Sequence, residues 1–233
     1  MSVGGSQPLL QKTLMWLGFG LCHQLPERSY MAGGLQAPVC ARDTGIYVGF
    51  VVGFALLALI QRDRPTGLPR AHVWVVMGLL LALMGWDGIT SYAGLRNTFN
   101  EIRLITGLGV GFSASALVVS MLNDVLWRES SSERVLDPFW RFAAWLAAIP
   151  MTWAAVTYVG PRAGIAFILF IAACIPATLT LVNLVIVGML PRFDRRALAF
   201  ADIVVPVAIA FGMSIAEVAA SAGLRALLIG LAR

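Results

Sequence analysis

A chain of 233 residues with 59% hydrophobic residues, only 12% charged residues and a mean hydropathy of +0.82 falls outside the ordinary soluble class, in which roughly a quarter of residues are charged. Its net charge of +5 does not point to nucleic acid: sixteen of the seventeen basic residues are arginine, they sit mainly between apolar runs, and no basic stripe is interleaved with aromatics. The three cysteines are too few for a disulfide framework.

The first element, Pro8–Leu21, is a short apolar stretch preceded by little charge. Its apolar part, Leu14–Leu21, leads into Cys-His-Gln and not into a small-residue cleavage pattern, so it is expected to stay in the mature protein, as an interfacial helix or a half-span. A membrane span needs about 20 apolar residues. Six stretches qualify or nearly so: Thr44–Ile60, His72–Trp86, Ile105–Leu122, Trp140–Val159, Ala163–Leu190 and Ile203–Ala222. The second is short and is expected to continue helically past Trp86. The fifth contains Pro176, expected to kink it. The sixth contains Pro206 and Glu217 and runs through an amphipathic end to Arg233. Lipid offers no partner for backbone amides, so the spans must be helices or a closed barrel. Barrel strands would alternate in polarity, and these runs do not. The expected fold is all-α: a polytopic membrane helix bundle of about six transmembrane helices plus the N-terminal element, forming one domain over residues 1–233.

The connectors 61–71, 123–139 and 191–202 carry Arg62, Arg64 and Arg70, then Arg128 and Arg134, then Arg192, Arg195 and Arg196. Six spans put all three connectors on one face. Arginine and lysine accumulate on cytoplasmic loops, which makes this face cytoplasmic and the chain a multi-pass protein of the cell membrane. The lipid bilayer is then its first partner.

Two polar stretches fall on the opposite face. One is Cys22-His23-Gln24-Leu25-Pro26-Glu27-Arg28-Ser29 with Cys40-Ala41-Arg42-Asp43-Thr44-Gly45. The other is Asp87-Gly88 with Arg96, Asn100, Arg103, Thr106 and Gly107. Two thiolates and an imidazole, from Cys22, His23 and Cys40, suit zinc, and Asp43 or Asp87 offers a fourth ligand. The same two cysteines, in an oxidising compartment, suit a structural disulfide or a redox pair; free thiols are the plain alternative. Cys174 lies mid-span and reads as core. Arg96, Asn100 and Arg103 would share a face if they stood on one helix. With Arg42 they would form a forked-donor pocket for phosphate or carboxylate. The bland alternative is ion pairing, of Arg103 with Asp87 or Glu101 and of Arg42 with Asp43. Asp87, at a membrane boundary before a glycine that could turn the chain, is a candidate metal ligand, general base or counter-ion. Glu217, a carboxylate at membrane depth, is a functional candidate in its own right. Glycines at Gly45, Gly49 and Gly53 and at Gly107, Gly109 and Gly111 favour close helix packing and lack the strand and Lys-Ser/Thr of a phosphate loop.

The strings Cys-His-Gln-Leu-Pro-Glu-Arg-Ser-Tyr (22–30) and Pro-Val-Cys-Ala-Arg-Asp-Thr-Gly-Ile-Tyr-Val-Gly (38–49) resemble the predicted membrane proteins grouped as domain of unknown function 2085. The later Asp87-Gly88, Arg96, Asn100, Arg103 and Thr106-Gly107 fit the same pattern, and the resemblance covers roughly residues 15–120. The family pattern usually has a further cysteine after the Arg of its Cys-x-Arg element. Asp43 stands there in this chain, which tells against an all-thiolate site and leaves a carboxylate ligand. A glutamine commonly follows the Asp-Gly element, where this chain has Ser91 nearby. The resemblance implies a multi-span membrane protein and supplies no reaction.

Three functions follow as expectations. The first is a membrane-embedded enzyme, with zinc on Cys22, His23, Cys40 and Asp43, catalysis by Asp87 or Glu217, and an anionic, lipid-phosphate-like head group held by Arg42, Arg96, Asn100 and Arg103. The second is a transporter or channel for a small ion or solute, suggested by the proline-bearing late spans and Glu217. The third is an assembly subunit with a Cys22–Cys40 disulfide.

Overall fold

A computed structural model describes residues 7–231. In chain order it contains α1 (Gln7–Phe19), a hairpin of β1 (Ser29–Ala32) and β2 (Leu35–Cys40), α2 (Ala41–Ile60), a short β3 (Pro65–Gly67), α3 (Ala71–Tyr92) and α4 (Asn100–Leu126). Then follow β4 (Ser131–Arg134), α5 (Phe139–Ala154), α6 (Ile165–Gly188) and α7 (Val204–Leu231). A π turn and a 3-10 turn extend α5 to Ala163, and a 3-10 turn at Phe200–Ile203 precedes α7. Six of these helices are long and apolar enough to cross a membrane. The architecture is the expected all-α membrane bundle. The second span does run on past Trp86, to Tyr92, and α6 continues through Pro176 to Gly188. Arg233, the end of the expected amphipathic tail, lies outside the described residues.

Helix α4 is the centre of the bundle: its most apolar stretch is 67% buried, against 22% in α3 and in α7. Small residues make this possible. A methyl group on Gly107 would sit 2.1 Å from the carbonyl oxygen of Arg42, one on Gly111 2.3 Å from that of Ile46, and one on Gly45 2.4 Å from that of Leu104. Backbone touches backbone along the α2–α4 crossing, which is the use expected of the glycine spacing. Gly109 points elsewhere and lets the Leu80 side chain of α3 approach. Phe112, Leu108 and Trp145 are fully buried beside this seam, with Phe112 and Trp145 edge to face.

The connectors gather at the two ends of the bundle. At one end β3 pairs with β4 in parallel, Trp127 bridges to Ala197, and Ser120 and Asn123 donate to the Thr66 and Pro65 carbonyls. Ion pairs Arg70–Asp137, Arg141–Asp63 and Arg195–Asp124 tie the same three connectors. The three arginine-bearing loops therefore share one end, as the six-span reading required. The other end holds α1, the hairpin, the 93–99 turn and the end of α7.

Candidate metal and anion site

The hairpin builds the site. Gly33 and Gly34 both take positive φ (58° and 76°), the backbone of a tight two-residue hairpin turn that only glycine adopts freely. The turn fixes the register: Ala32 pairs with Leu35, Met31 with Gln36 and Ser29 with Cys40. A Gly-Gly pair between β-prone residues was the signal for this hairpin, and the expectation of helices alone passed over it. Gln24, at φ 58°, donates from Nε2 to the carbonyls of Met15 (2.7 Å) and Pro38 (2.8 Å), while Gln36 Nε2 donates back to the Gln24 carbonyl (3.0 Å). Arg225 of α7 donates to the Phe19 and Cys22 carbonyls and closes the loop from the far end of the chain. These clamps bring residue 22 to residue 40. Gln24 and Gln36 carry no local sequence signal, because the carbonyls they donate to become neighbours only after folding.

Cys22, Cys40 and Asp43 form one cluster, each offering a ligand atom, all within 4.8 Å of one another. The Cys40 amide donates to Cys22 Sγ (3.2 Å), and the Cys40 thiol donates to Asp43 Oδ2 (3.3 Å). The Cys22 thiol lies below its ordinary range through its contact with Cys40, against the opposing effects of burial and the Asp43 charge. Cys40 is pushed far up by the same contact, by burial and by Asp43. The two thiols are therefore shifted in opposite directions. Both cysteines are free. His23 is exposed and stands outside the cluster, but it lines the same cavity of about 270 Å³ together with Cys22, Cys40, Arg42, Asp43 and Arg28.

The arginines are organised around Asp87. This carboxylate is 1% exposed and takes Arg42 on one oxygen and Arg96 on the other, the latter at 2.6 Å. Three details of the sequence reading need correction. Arg96 lies in the 93–99 turn, ahead of α4, so it shares no helix face with Asn100 and Arg103; Gly94 at φ 69° reverses the chain there. Gly88 lies inside α3 and makes no turn, so Asp87 is a helical residue. The pairing of Arg42 with Asp43, and of Arg103 with Asp87 or Glu101, is replaced by Arg42–Asp87–Arg96. Residues one or two apart on a helix point to different faces, which separates Arg42 from Asp43 and Glu101 from Arg103.

Arg103 is the cation left over. It is 7% exposed, pairs with no carboxylate among the described residues, and makes only two long hydrogen bonds, to Asn100 Oδ1 and Ser91 Oγ (both 3.4 Å). Asn100 also donates to the Glu27 carbonyl (3.3 Å), joining the two polar stretches. Arg42 keeps a buried Nε with no partner. A buried guanidinium without a counter-charge is costly, and an anion supplied from outside would satisfy it. Glu217 stands apart: Asn183 Nδ2 donates to it at 3.0 Å, and it lies eight residues before Arg225 on α7, about 12 Å along the helix at 1.5 Å per residue.

The family model described as "Predicted membrane protein (DUF2085)" matches residues 22–117. An uncharacterized protein of Methanocaldococcus jannaschii is 34% identical over 109 residues, 47% of this chain and 68% of that relative. An uncharacterized protein of Methanothermobacter thermautotrophicus is 37% identical over 98 residues, 42% of this chain and 83% of that relative. This chain belongs to the DUF2085 family. No solved structure matches it. The segment shared with the DUF2085 model begins at Cys22 and takes in Cys40, Arg42, Asp43, Asp87, Arg96, Asn100 and Arg103, whereas Glu217 and the last three spans fall outside it. In chemical terms, two sulfur donors and a carboxylate share one cavity with Arg28 and Arg42.

Proposed function

We propose that this protein is a metal-dependent membrane enzyme acting on an anionic, lipid-phosphate-like substrate at the end of the bundle that carries the thiols. The arginine-bearing connectors would then face the cytoplasm, and the site would open on the other side of the cell membrane. One observation carries the reading: three metal-type donors converge in a cavity whose wall also carries Arg28 and Arg42.

The donor set fits zinc. Two sulfurs and a carboxylate oxygen around a tetrahedral ion stand about 3.4–3.8 Å apart, given bonds of roughly 2.1–2.3 Å, and the donors here need only close slightly from within 4.8 Å. Three protein ligands would leave a fourth position for water or substrate, and His23 lines the same cavity. Bound zinc would supply Lewis acidity toward a phosphoryl oxygen or an activated water. The chain's own residues do the rest. Arg103, with Asn100 beside it, receives the phosphate. Asp87 acts as a positioning residue, because both its oxygens are taken by Arg42 and Arg96. In hydrolysis, water oxygen bonds to phosphorus, the phosphorus–oxygen ester bond breaks, and the lipid alcohol leaves with a proton.

The test is phosphate release from phosphatidic acid by zinc-loaded protein in detergent. Cys22→Ser and Cys40→Ser should each abolish release. Arg103→Gln should raise KM on the order of ten-fold or more, the loss of a charge-assisted contact. Release that survives both cysteine substitutions, or no release from any lipid phosphate by zinc-loaded protein, would sink the proposal. A second reading, a Cys22–Cys40 redox pair, is favoured by the proximity of the two free cysteines, with the Cys40 amide donating to Cys22 Sγ at 3.2 Å. It would show as reversible protection of both thiols on oxidation.

A further inference from the structure

The arginine-loop end of the bundle holds a second cavity, of about 500 Å³, between α2, α4, α6 and α7. That volume is in the range of small-molecule sites, roughly 300–1,000 Å³. Its wall is apolar, with Phe54, Leu122, Leu184 and Val207 each contributed by a different helix. It extends from Phe54 to Gln61, seven residues of α2 and its cap, which is about 10 Å at 1.5 Å per residue.

The neck of the cavity is polar in a specific way. Gln61 is 3% exposed, and neither its Nε2 nor its Oε1 has a partner. A buried amide left unpaired is costly and calls for an explanation. Asn123 also lines the cavity, but its Nδ2 is already spent on the Pro65 carbonyl. Among the described residues, the charged groups of the wall are Arg62 and Arg64, with no carboxylate. Neither arginine forms an ion pair among the described residues, since the nearby Asp63 and Asp124 are engaged by Arg141 and Arg195. Arg64 is fixed in place, with its guanidinium 3.6 Å above the Trp127 ring.

We propose that this cavity is a binding site for an anionic phospholipid of the surrounding bilayer. One acyl chain occupies the apolar space, the phosphate is held by Arg62 and Arg64, and Gln61 Nε2 donates to the ester carbonyl at the neck. Charge complementarity selects the anion: two unpaired guanidiniums and no acid would attract a phosphate that carries net charge and discriminate against a zwitterionic head group. The site lies at the opposite end of the bundle from the thiol cluster and does not depend on the enzymatic reading.

The experiment uses the full chain in nanodiscs that contain phosphatidylglycerol with a photoactivatable diazirine on its acyl chain, and a matched phosphatidylcholine probe. After irradiation, labelled peptides are mapped by mass spectrometry. The phosphatidylglycerol probe is expected to label the walls around Phe54, Leu122, Leu184 and Val207 in preference to the lipid-facing surface of α3. Joint Arg62→Ala and Arg64→Ala replacement should cut that labelling on the order of ten-fold, and Gln61→Leu should cut it several-fold. Ala58→Trp, which fills the cavity and leaves both arginines, should abolish it. Equal labelling by the phosphatidylcholine probe would overturn the proposal. So would unchanged labelling in Ala58→Trp or in the double arginine variant, each checked for folding by its thermal transition.

Discussion

Replacing Asp87 with alanine is expected to destabilise the protein by roughly 3–5 kcal/mol, the usual cost of removing one member of a buried charge cluster. Asp87 is 1% exposed and is the carboxylate that pairs with Arg42, whose side chain is 13% exposed. Without it, Arg42 would be left charged in a largely dry setting, with its Nε already unpartnered. The effect should be asymmetric around the cluster. Arg96 is 40% exposed, so Arg96→Ala removes a pair that water screens and should cost roughly 0–1 kcal/mol. Thermal unfolding in one detergent, read for both variants, separates the two. Equal losses would mean that the cluster is solvated and that Asp87 does not organise the site.

Gly107→Leu is expected to prevent folding or to leave a loosely packed protein. The added methylene nearest the backbone would lie 2.1 Å from the Arg42 carbonyl oxygen, and backbone cannot move aside as a side-chain tip can. Even Gly107→Ala should cost roughly 1–3 kcal/mol by overpacking, and it should disturb Arg42, which links the α2–α4 seam to the charge cluster. Gly78→Ala and Gly85→Ala are the controls. Nothing lies within 4 Å of a Cβ at either position, and alanine favours helix by roughly 0.5–1 kcal/mol over glycine. Monodisperse yield and unfolding temperature should fall for Gly107 and hold or rise for Gly78 and Gly85. The opposite order would mean that α2 and α4 are not in backbone contact.

The spans were legible because lipid imposes a length and a polarity that local sequence reports directly. The glycine spacing was legible for the same kind of reason: positions 45, 49 and 53 repeat with the helix, and the repeat alone marks a close face. The partners of the arginines were not. Arg42 meets Asp87 across 45 positions of sequence, while Asp43, its neighbour in the chain, points to a different face and takes the Cys40 thiol. Arg96 and Arg103 have helical spacing, yet the turn at Gly94 puts only Arg103 on the helix. Three of the four donors named from the sequence gather in one cluster, and His23 does not. Cys22, Cys40 and Asp43 converge through the hairpin and the Gln24 clamps, and the spacing of Cys22 and His23 could not tell which of them would face inward.

A metal on Cys22, Cys40 and Asp43 would show in the metal content per chain. Protein purified in detergent with trace zinc present should carry about one zinc per chain, as a site with three protein ligands requires. That zinc should be lost in Cys22→Ser and in Cys40→Ser, with the folded state retained. Purified protein with no zinc bound, and with two thiols that become reactive only after reduction, would rule out the metal site and assign the pair to a disulfide.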